Sequence, residues 1–162
     1  MRLTDIITPA TIAVHVHLDD KAHALRFAAA SLGARSGLDP ERIREALAAR
    51  EALGSTGIGR GIAVPHVCLT GLDQPYALFC TLAEPIDFDA IDGKPVDLVF
   101  TIVTPPGAGA GAGGGQALSY LAAVSRLLRD KDVAEALRKA GSPWSVYDIV
   151  GKFSPASAQL VS

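Results

Sequence analysis

The sequence predicts a single α/β domain in which helices cover a mixed β-sheet. Three observations carry this prediction. A segment near the N-terminus alternates apolar and polar residues, two helical segments follow it, and two apolar, β-rich segments in the middle precede further helices. The 162 residues, 49% hydrophobic and 20% charged, suit one folded domain with a sizeable core.

The first strand and helix are predicted by a change of periodicity. Apolar residues alternate with Ala and His through residues 12–18, the pattern of a strand with one buried face. From Ala24 onwards, apolar residues recur every three or four positions, which is the spacing of a helix. Asp19 or Asp20 can cap this helix, and Gly33 or Gly37 can end it.

A second helix is predicted from Asp39 and Pro40, a cap residue followed by a proline at the first helical position. One face of it carries Ile43, Ala46, Leu47 and Arg50. Arg50 is thus expected on the apolar face, where an arginine needs a specific purpose.

The centre of the chain is predicted to be a shaped loop and two strands. The loop GSTGIGRGIAVPH, Gly54 to His66, contains four glycines that let its backbone approach a ligand. Tyr76 to Ala83 and Val96 to Val103 are strands, the second of them central.

The last third is predicted to be helical after a break. Residues 107–115 are glycine-rich and are expected to form a flexible loop. Helices follow from Gln116, from Asp132 to Ala140, and from Ser142-Pro143. The tail 154–162 is expected to be loose.

Charge and composition exclude several classes of function. The net charge of -2 supplies no cationic field, so nucleic acid is not an expected partner. Residues 1–18 are too interrupted for a signal peptide or membrane span, so we expect a cytoplasmic protein without membrane insertion. Cys68 and Cys80 match neither a metal framework nor a disulfide scaffold and are interpreted as reduced thiols.

His66 is the candidate reactive residue. Pro65 stiffens the backbone before it, and an uncharged imidazole can accept a phosphoryl group and release it again. The loop backbone, including Gly57, the hydroxyls of Ser55 and Thr56, and the guanidinium of Arg50 could bind the phosphoryl oxygens.

These residues also carry a resemblance. REALGSTGIGRGIAVPH, Arg50 to His66, resembles the phosphorylation-site motif of the fructose/mannitol-type IIA domains of the bacterial phosphotransferase system. PIDFDAIDGKPVDLVF and LAAVSRLLRDKDV further along are most similar to the nitrogen-regulatory branch of that family.

The resemblance implies about five strands in the mixed sheet, His66 as phosphoacceptor through Nε2, and Arg50 as a phosphate-orienting side chain. It implies an HPr- or NPr-type phosphocarrier as partner, and regulatory targets such as a potassium transporter or a sensor kinase. No cofactor and no metal are expected.

One position departs from the family pattern. A second active-site histidine is usual at the start of the helix that begins near Gln116, and the register places Ala117 there. Three hypotheses therefore stay open: a regulatory phosphoryl carrier that acts as a phosphohistidine transferase, an interaction module impaired in phosphorylation, and a sugar-specific fructose or mannitol IIA subunit.

Several of these residues also have a simpler structural interpretation. Arg50 and Glu51 could form a helix-end salt bridge, and Ser55-Thr56 could be turn residues that bond their own backbone. His15 and His17 could suggest a metal pair, but a solvated strand face is the favoured interpretation.

The remaining candidates concern loops. Asp87, Asp89 and Asp92 could resemble a cation cluster, yet they suit turns better. The glycine run lacks the GK[ST] of a phosphate loop, and Cys68 beside His66 lacks the rest of a hydrolase.

Overall fold

The computed structural model describes residues 2–107 and 114–153. After two short 3₁₀ helices, Leu3–Asp5 and Pro9–Thr11, the elements in chain order are β1 (Ile12–Val16), α1 (Lys21–Ser36), α2 (Pro40–Ala52), β2 (Gly57–Gly59), β3 (Ile62–Ala63), β4 (His66–Cys68), β5 (Tyr76–Ile86), β6 (Val96–Thr104), α3 (Gly114–Arg129), α4 (Lys131–Lys139) and α5 (Pro143–Lys152). The predicted α/β order of strand, two helices, strands and helices is confirmed.

The strands form one mixed sheet in the order β1-β5-β6-β3-β2, and β4 also pairs with β6. β5 and β6 are antiparallel, whereas β1 is parallel to β5 and both β3 and β4 are parallel to β6. β6 is therefore central, as predicted. The sheet has six strands where the resemblance implied about five.

The extra strand arises because one extended segment is split. Ile62 pairs with Leu98 and His66 pairs with Ile102, so β3 and β4 keep the same register along β6. Only Val64 and Pro65 separate them, and the Pro65 carbonyl still accepts from the Ile102 N–H at 2.9 Å. His66 is thus the first residue of β4, and its pairing with Ile102 fixes its position along β6.

Helix boundaries follow the cap residues that the sequence supplies. The Asp20 carboxylate accepts from the His23 N–H at 2.8 Å, and Gly37 ends α1 with φ 82°. Asp39 caps α2 before Pro40, accepting from the Glu41 N–H at 3.1 Å. The alternatives Asp19 and Gly33 are thereby not used as caps.

Two apolar clusters lie on opposite faces of the sheet. α1 and α2 cover one face, where Leu32, Ile43 and Leu47 belong to the cluster that contains Val99 and Val103. α3, α4 and α5 cover the other, which contains Phe100 and Ile102. Because side chains alternate along a strand, His66, in register with Ile102, belongs to the α3 face.

The segment predicted as a loop from Gly54 to His66 is partly a β-hairpin. β2 pairs with β3 antiparallel, and the turn consists of Gly59 (φ 97°), Arg60 (φ 60°) and Gly61 (φ 80°). Three consecutive left-handed residues reverse the chain within a few residues, which two glycines make possible. Because the segment is rich in glycine, its sequence pattern did not indicate the short strands β2 and β3 on either side of this turn.

Other boundaries also differ from the sequence predictions: β1 ends at Val16, β6 ends at Thr104, and α4 runs from Lys131 to Lys139. β5 continues beyond Ala83 to Ile86, and α3 begins at Gly114, so the end of the glycine run is helical. Residues 108–113 of that run and the tail 154–162 lie outside the described residues.

Candidate functional site

His66 lies at an edge of the sheet with its ring half-buried. Its Nδ1 is 2.8 Å from the carbonyl oxygen of Val64. A carbonyl can only accept, so Nδ1 holds the ring proton in this hydrogen bond. In the neutral imidazole, Nε2 therefore carries the free lone pair and is the nucleophilic nitrogen.

Pro65 explains why this bond can form. Its ring fixes φ and interrupts the strand between Val64 and His66, and both Val64 and Pro65 are buried. The Val64 carbonyl accordingly lies beside the His66 ring. The imidazole is held by its own backbone two residues upstream.

Arg50 lies in the last turn of α2, and its side chain is half-buried, at the edge of the apolar face. Its Nη1 donates to the carbonyl oxygen of Gly54 at 2.8 Å. α2 also packs against β4, the strand that His66 begins. Arg50 thus joins the end of α2 to the first residue of the glycine-rich segment.

Glu51 is buried and organises the start of that segment. Its carboxylate is 3.1 Å from Nζ of Lys21 and accepts from the Thr56 N–H, at 3.0 and 3.2 Å to its two oxygens, as well as from the Thr56 hydroxyl. Lys21 Nζ also lies 5.1 Å from the centroid of the Phe88 ring. The helix-end pair considered for Arg50 and Glu51 is not formed; Glu51 is paired with Lys21.

Sequence reasoning missed Lys21 and the role of Glu51. The two residues are far apart in the chain and belong to no spacing motif. The only available signal was an acidic residue at the end of a helix, where the macrodipole disfavours it. Such a residue needs a nearby cation.

Ser55 and Gly57 form a compact turn. The Ser55 hydroxyl donates to the Phe88 carbonyl at 2.5 Å and accepts from the Gly57 N–H at 2.9 Å. This is the backbone-bonding turn weighed from the sequence. A Cβ at Gly57 would lie 2.8 Å from Cβ of Ala90, so glycine is required by close packing.

Ala117 lies in the first turn of α3, which covers the face to which His66 belongs. It is half-buried, and its methyl side chain can neither donate nor accept a hydrogen bond. The next residue, Leu118, is 64% exposed.

The two N-terminal histidines have separate partners. His15 is left-handed (φ 50°) at a bulge of β1, and its Nε2 is 2.9 Å from the Arg138 carbonyl. The His17 ring lies between carboxylates, 3.1 Å from Asp19 and 3.3 Å from Glu84. Both side chains are exposed, as a solvated face requires.

The central aspartates serve turns. Asp87 accepts from the Asp89 N–H at 2.9 Å, and Asp92 accepts from the N–H groups of Arg60 and Lys94 at 3.0 and 3.1 Å. These backbone donors, Arg60 first, hold the pKa of Asp92 below its usual range.

The two cysteines are free thiols in different surroundings. Cys68 is exposed, with its Sγ 3.2 Å from the Thr104 hydroxyl, whereas Cys80 lies within the sheet. Burial raises the pKa of the Cys80 thiol to about 12. Within residues 2–107 and 114–153, no helix is long and apolar enough to cross a membrane.

Residues 5–152 match the family model of the phosphoenolpyruvate-dependent sugar phosphotransferase system, EIIA 2. The chain belongs to this family. The family match covers the whole described fold except its first three residues and the last one. The expected IIA membership is confirmed.

Two relatives over nearly the whole chain are nitrogen regulatory proteins. The chain is 39% identical over 158 residues to the nitrogen regulatory protein of Bradyrhizobium diazoefficiens, covering 98% of this chain and 99% of that protein. It is 40% identical over 152 residues to the nitrogen regulatory protein of Pseudomonas aeruginosa, covering 93% and 95%.

A solved structure of this branch has the same fold. The nitrogen regulatory protein IIA-Ntr of Neisseria meningitidis superposes with a TM-score of 0.85 at 32% identity, covering 91% of this chain and 98% of that one. The resemblance to the nitrogen-regulatory branch is thereby confirmed.

Proposed function

We propose that this protein is a phosphoryl carrier of a bacterial phosphotransferase system that accepts a phosphoryl group on Nε2 of His66. The donor is an HPr- or NPr-type phosphocarrier, and the phosphorylation state acts as a regulatory signal. The observation that carries the proposal is the 2.8 Å hydrogen bond from Nδ1 of His66 to the Val64 carbonyl. In the neutral imidazole it directs the lone pair to Nε2, in a family whose members transfer phosphoryl groups.

The transfer step exchanges one nitrogen–phosphorus bond for another. The lone pair on Nε2 attacks phosphorus while the bond to the donor's phosphohistidine nitrogen breaks, and that nitrogen keeps the electron pair. The His66 ring gains positive charge as the new bond forms. The Val64 carbonyl, which accepts from Nδ1–H, stabilises this charge in the transition state and in the product.

Arg50 is proposed to orient the phosphoryl oxygens. Its guanidinium uses one N–H for the Gly54 carbonyl, which fixes the side chain beside the glycine-rich segment. A guanidinium has five N–H donors in a planar fork that suits phosphate oxygens. The remaining donors can bind the transferred group.

Ser55, Thr56 and Gly57 are proposed to complete the phosphate contacts. The Ser55 hydroxyl donates to Phe88, the Thr56 hydroxyl to Glu51, and the Gly57 N–H to Ser55. Each donor must therefore exchange or share its present partner when a phosphoryl group arrives. The loop can bind phosphate only if these hydrogen bonds rearrange.

A regulatory output is supported by the relatives named nitrogen regulatory protein. Exposed apolar side chains next to the proposed site suit a protein partner: Leu53, three residues after Arg50, is 86% exposed, and Leu118, beside Ala117, is 64% exposed. A potassium transporter and a sensor kinase are the kinds of target that the resemblance implies.

Ala117 favours a second candidate, an interaction module in which phosphotransfer is impaired. An alanine cannot hydrogen-bond the phosphoryl group or assist proton transfer as a second histidine could. A sugar-specific fructose or mannitol IIA subunit would differ from the main proposal only in the acceptor to which the phosphoryl group passes.

A loading assay tests the proposal. The full chain is incubated with a phosphorylated HPr-type donor, and intact mass is measured at neutral and acidic pH. We expect one acid-labile phosphoryl group per chain, lost in His66→Gln and retained in the control His23→Gln. Absence of loading from any donor of this type would overturn the carrier and favour the interaction module.

A further inference from the structure

We propose a second anion site, for the phosphate or diphosphate group of a small molecule, at the junction of α3, α4 and the β2–β3 turn. A cavity of about 370 Å³ opens there. Its lining is dominated by cations and comprises Arg60, Leu128, Arg129, Lys131, Ala134, Glu135 and Arg138. This site is hereafter the basic pocket.

Three of the four cations that line the basic pocket have no carboxylate partner among the described residues. Among the described residues, Arg138 is the one lining cation with a carboxylate within ion-pair distance, 2.9 Å from Asp97. Arg60, Arg129 and Lys131 have none, and Glu135 is the only acidic residue of the lining. In a chain of net charge -2, this concentration of positive charge marks a place for an anion.

The backbone of Arg60 is held by hydrogen bonds on both of its polar groups. Its φ of 60° is unusual for a residue with a Cβ. The Arg60 N–H donates to Asp92 at 3.0 Å, and its carbonyl accepts from Nη2 of Arg138 at 2.9 Å. Strained residues kept by their surroundings are common at ligand sites.

Among the described residues, the guanidinium of Arg60 makes one hydrogen bond. Nη1 donates to the Arg129 carbonyl at the end of α3, at a long 3.3 Å. This bond caps the C-terminal end of α3. The other N–H groups of the Arg60 guanidinium stay available for phosphate oxygens. Capping thus orients the guanidinium at the rim of the cavity.

Gly61 makes room for the wall of the basic pocket. A Cβ there would lie 2.8 Å from both Nη2 of Arg138 and Oδ1 of Asp97. Asp97 receives two N–H groups of Arg138, at 2.9 to 3.1 Å. This ion pair holds the Arg138 side chain in place at the cavity. Because Asp97 neutralises Arg138, the anion is bound mainly by the other lining cations.

The size of the cavity favours a phosphorylated small molecule over free phosphate. Its 370 Å³ lies within the range of about 300 to 1,000 Å³ that is found for small-molecule sites. Leu128 and Ala134 provide apolar wall beside the cations. This apolar wall gives the organic part of a phosphorylated small molecule a surface to contact, which free phosphate would not use.

The basic pocket is separate from His66. Asp97 lies at the start of β6, five residues before Ile102, the partner of His66, which is about 16 Å along the strand. α3 connects the two regions, because Ala117 lies in its first turn and Arg129 is its last residue. Binding in the basic pocket should therefore not require His66.

Titration calorimetry on the full chain tests the inference with phosphate, pyrophosphate and ADP as probes. We expect saturable binding at one site per chain, weakened about tenfold or more by Arg60→Ala and by Lys131→Ala. Glu135→Gln should tighten binding, since it removes the opposing charge. The control Arg26→Ala, which removes an exposed arginine of α1 outside the basic pocket, should bind as the parent does.

The three probes identify the source of the anion. Tighter binding of ADP or pyrophosphate than of phosphate indicates a phosphorylated metabolite, and equal binding indicates free phosphate as the ligand. No saturable binding of any probe at millimolar concentration, or equal weakening by Arg26→Ala and Arg60→Ala, would overturn the basic pocket. Either result is independent of whether His66 is phosphorylated.

Discussion

The carboxylate of Glu51 and the ammonium of Lys21 form an ion pair of 3.1 Å that is withdrawn from water, with Glu51 4% and Lys21 21% exposed. The pair ties the end of α2, where Arg50 lies, to the start of α1. A buried pair is costly to break from one side, because the remaining charge loses its partner.

Lys21→Ala should therefore destabilise the fold by about 1 to 3 kcal/mol, below the range for a fully buried pair because Lys21 reaches some water. Urea unfolding measures the change. Lys152→Ala is the matched control, since its pair with Asp148 is 3.0 Å long but exposed. The control should change stability by less than about 0.5 kcal/mol. Equal effects of both variants would contradict a stabilising role for burial at Glu51.

Cys80 predicts a loss of stability at alkaline pH. The folded thiol has a pKa of about 12 against an ordinary value of 9.0, because burial disfavours the thiolate. Above pH 9 the unfolded chain ionises Cys80 while the folded chain does not, so stability falls as pH rises from 9 toward 12.

Unfolding free energies at about pH 8 and about pH 10.5 measure this slope. Cys80→Ala should make the slope shallower than in the parent chain. Cys68→Ala is the control, because that thiol is exposed, and it should leave the slope unchanged. All other titrating groups are the same in the parent and in Cys80→Ala, so the difference between these two chains isolates Cys80. Identical slopes in all three would contradict the prediction.

Arg50→Ala should slow phosphorylation while leaving the fold largely intact. Removing the guanidinium removes a charge contact to the transferred group, worth about 2 to 4 kcal/mol in the transition state by analogy with oxyanion donors. Rates of loading from a phosphorylated HPr-type donor measure the effect. Arg42→Ala serves as control, since Arg42 lies on the same helix and donates to Thr70 at 2.7 Å. An unchanged loading rate in Arg50→Ala would mean that Arg50 has only a structural role, its hydrogen bond to the Gly54 carbonyl.

Ala117→His should accelerate loading or onward transfer. A histidine there would add a hydrogen-bonding group on the α3 face, which His66 shares. The gain should lie near the lower end of the ~10²- to 10⁴-fold range for one acid–base group, because the surroundings were not built for it. Leu118→His, one residue along α3, is the control for a nonspecific effect. Similar acceleration by both would contradict the assignment of position 117.

Local signals made most of the fold predictable. Asp39 and Ser142 cap α2 and α5 as predicted, and Asp20 is the one of the two predicted candidates that caps α1. The apolar runs of β5 and β6 were recognisable because strands buried on both faces are continuous in hydrophobicity. These features depend on residues that are neighbours in the chain.

The parts that sequence could not supply depend on distant residues. The short strands of the β2–β3 hairpin are fixed by pairing with β6, so their glycines suggested only a loop. The partner of Glu51 comes from α1. The hydrogen bond between His66 and the Val64 carbonyl depends on the break at Pro65 and on the pairing of His66 with β6. The sequence pattern around His66 does not indicate either of these.

The phosphorylated nitrogen tests the central claim most directly. Nitrogen-15 correlation spectra of the phosphorylated full chain, with coupling to phosphorus, identify both the residue and the ring nitrogen. The Val64 hydrogen bond predicts phosphorylation of His66 at Nε2, with the proton retained on Nδ1. A phosphoryl group on Nδ1 of His66, or on any other residue, would contradict this account.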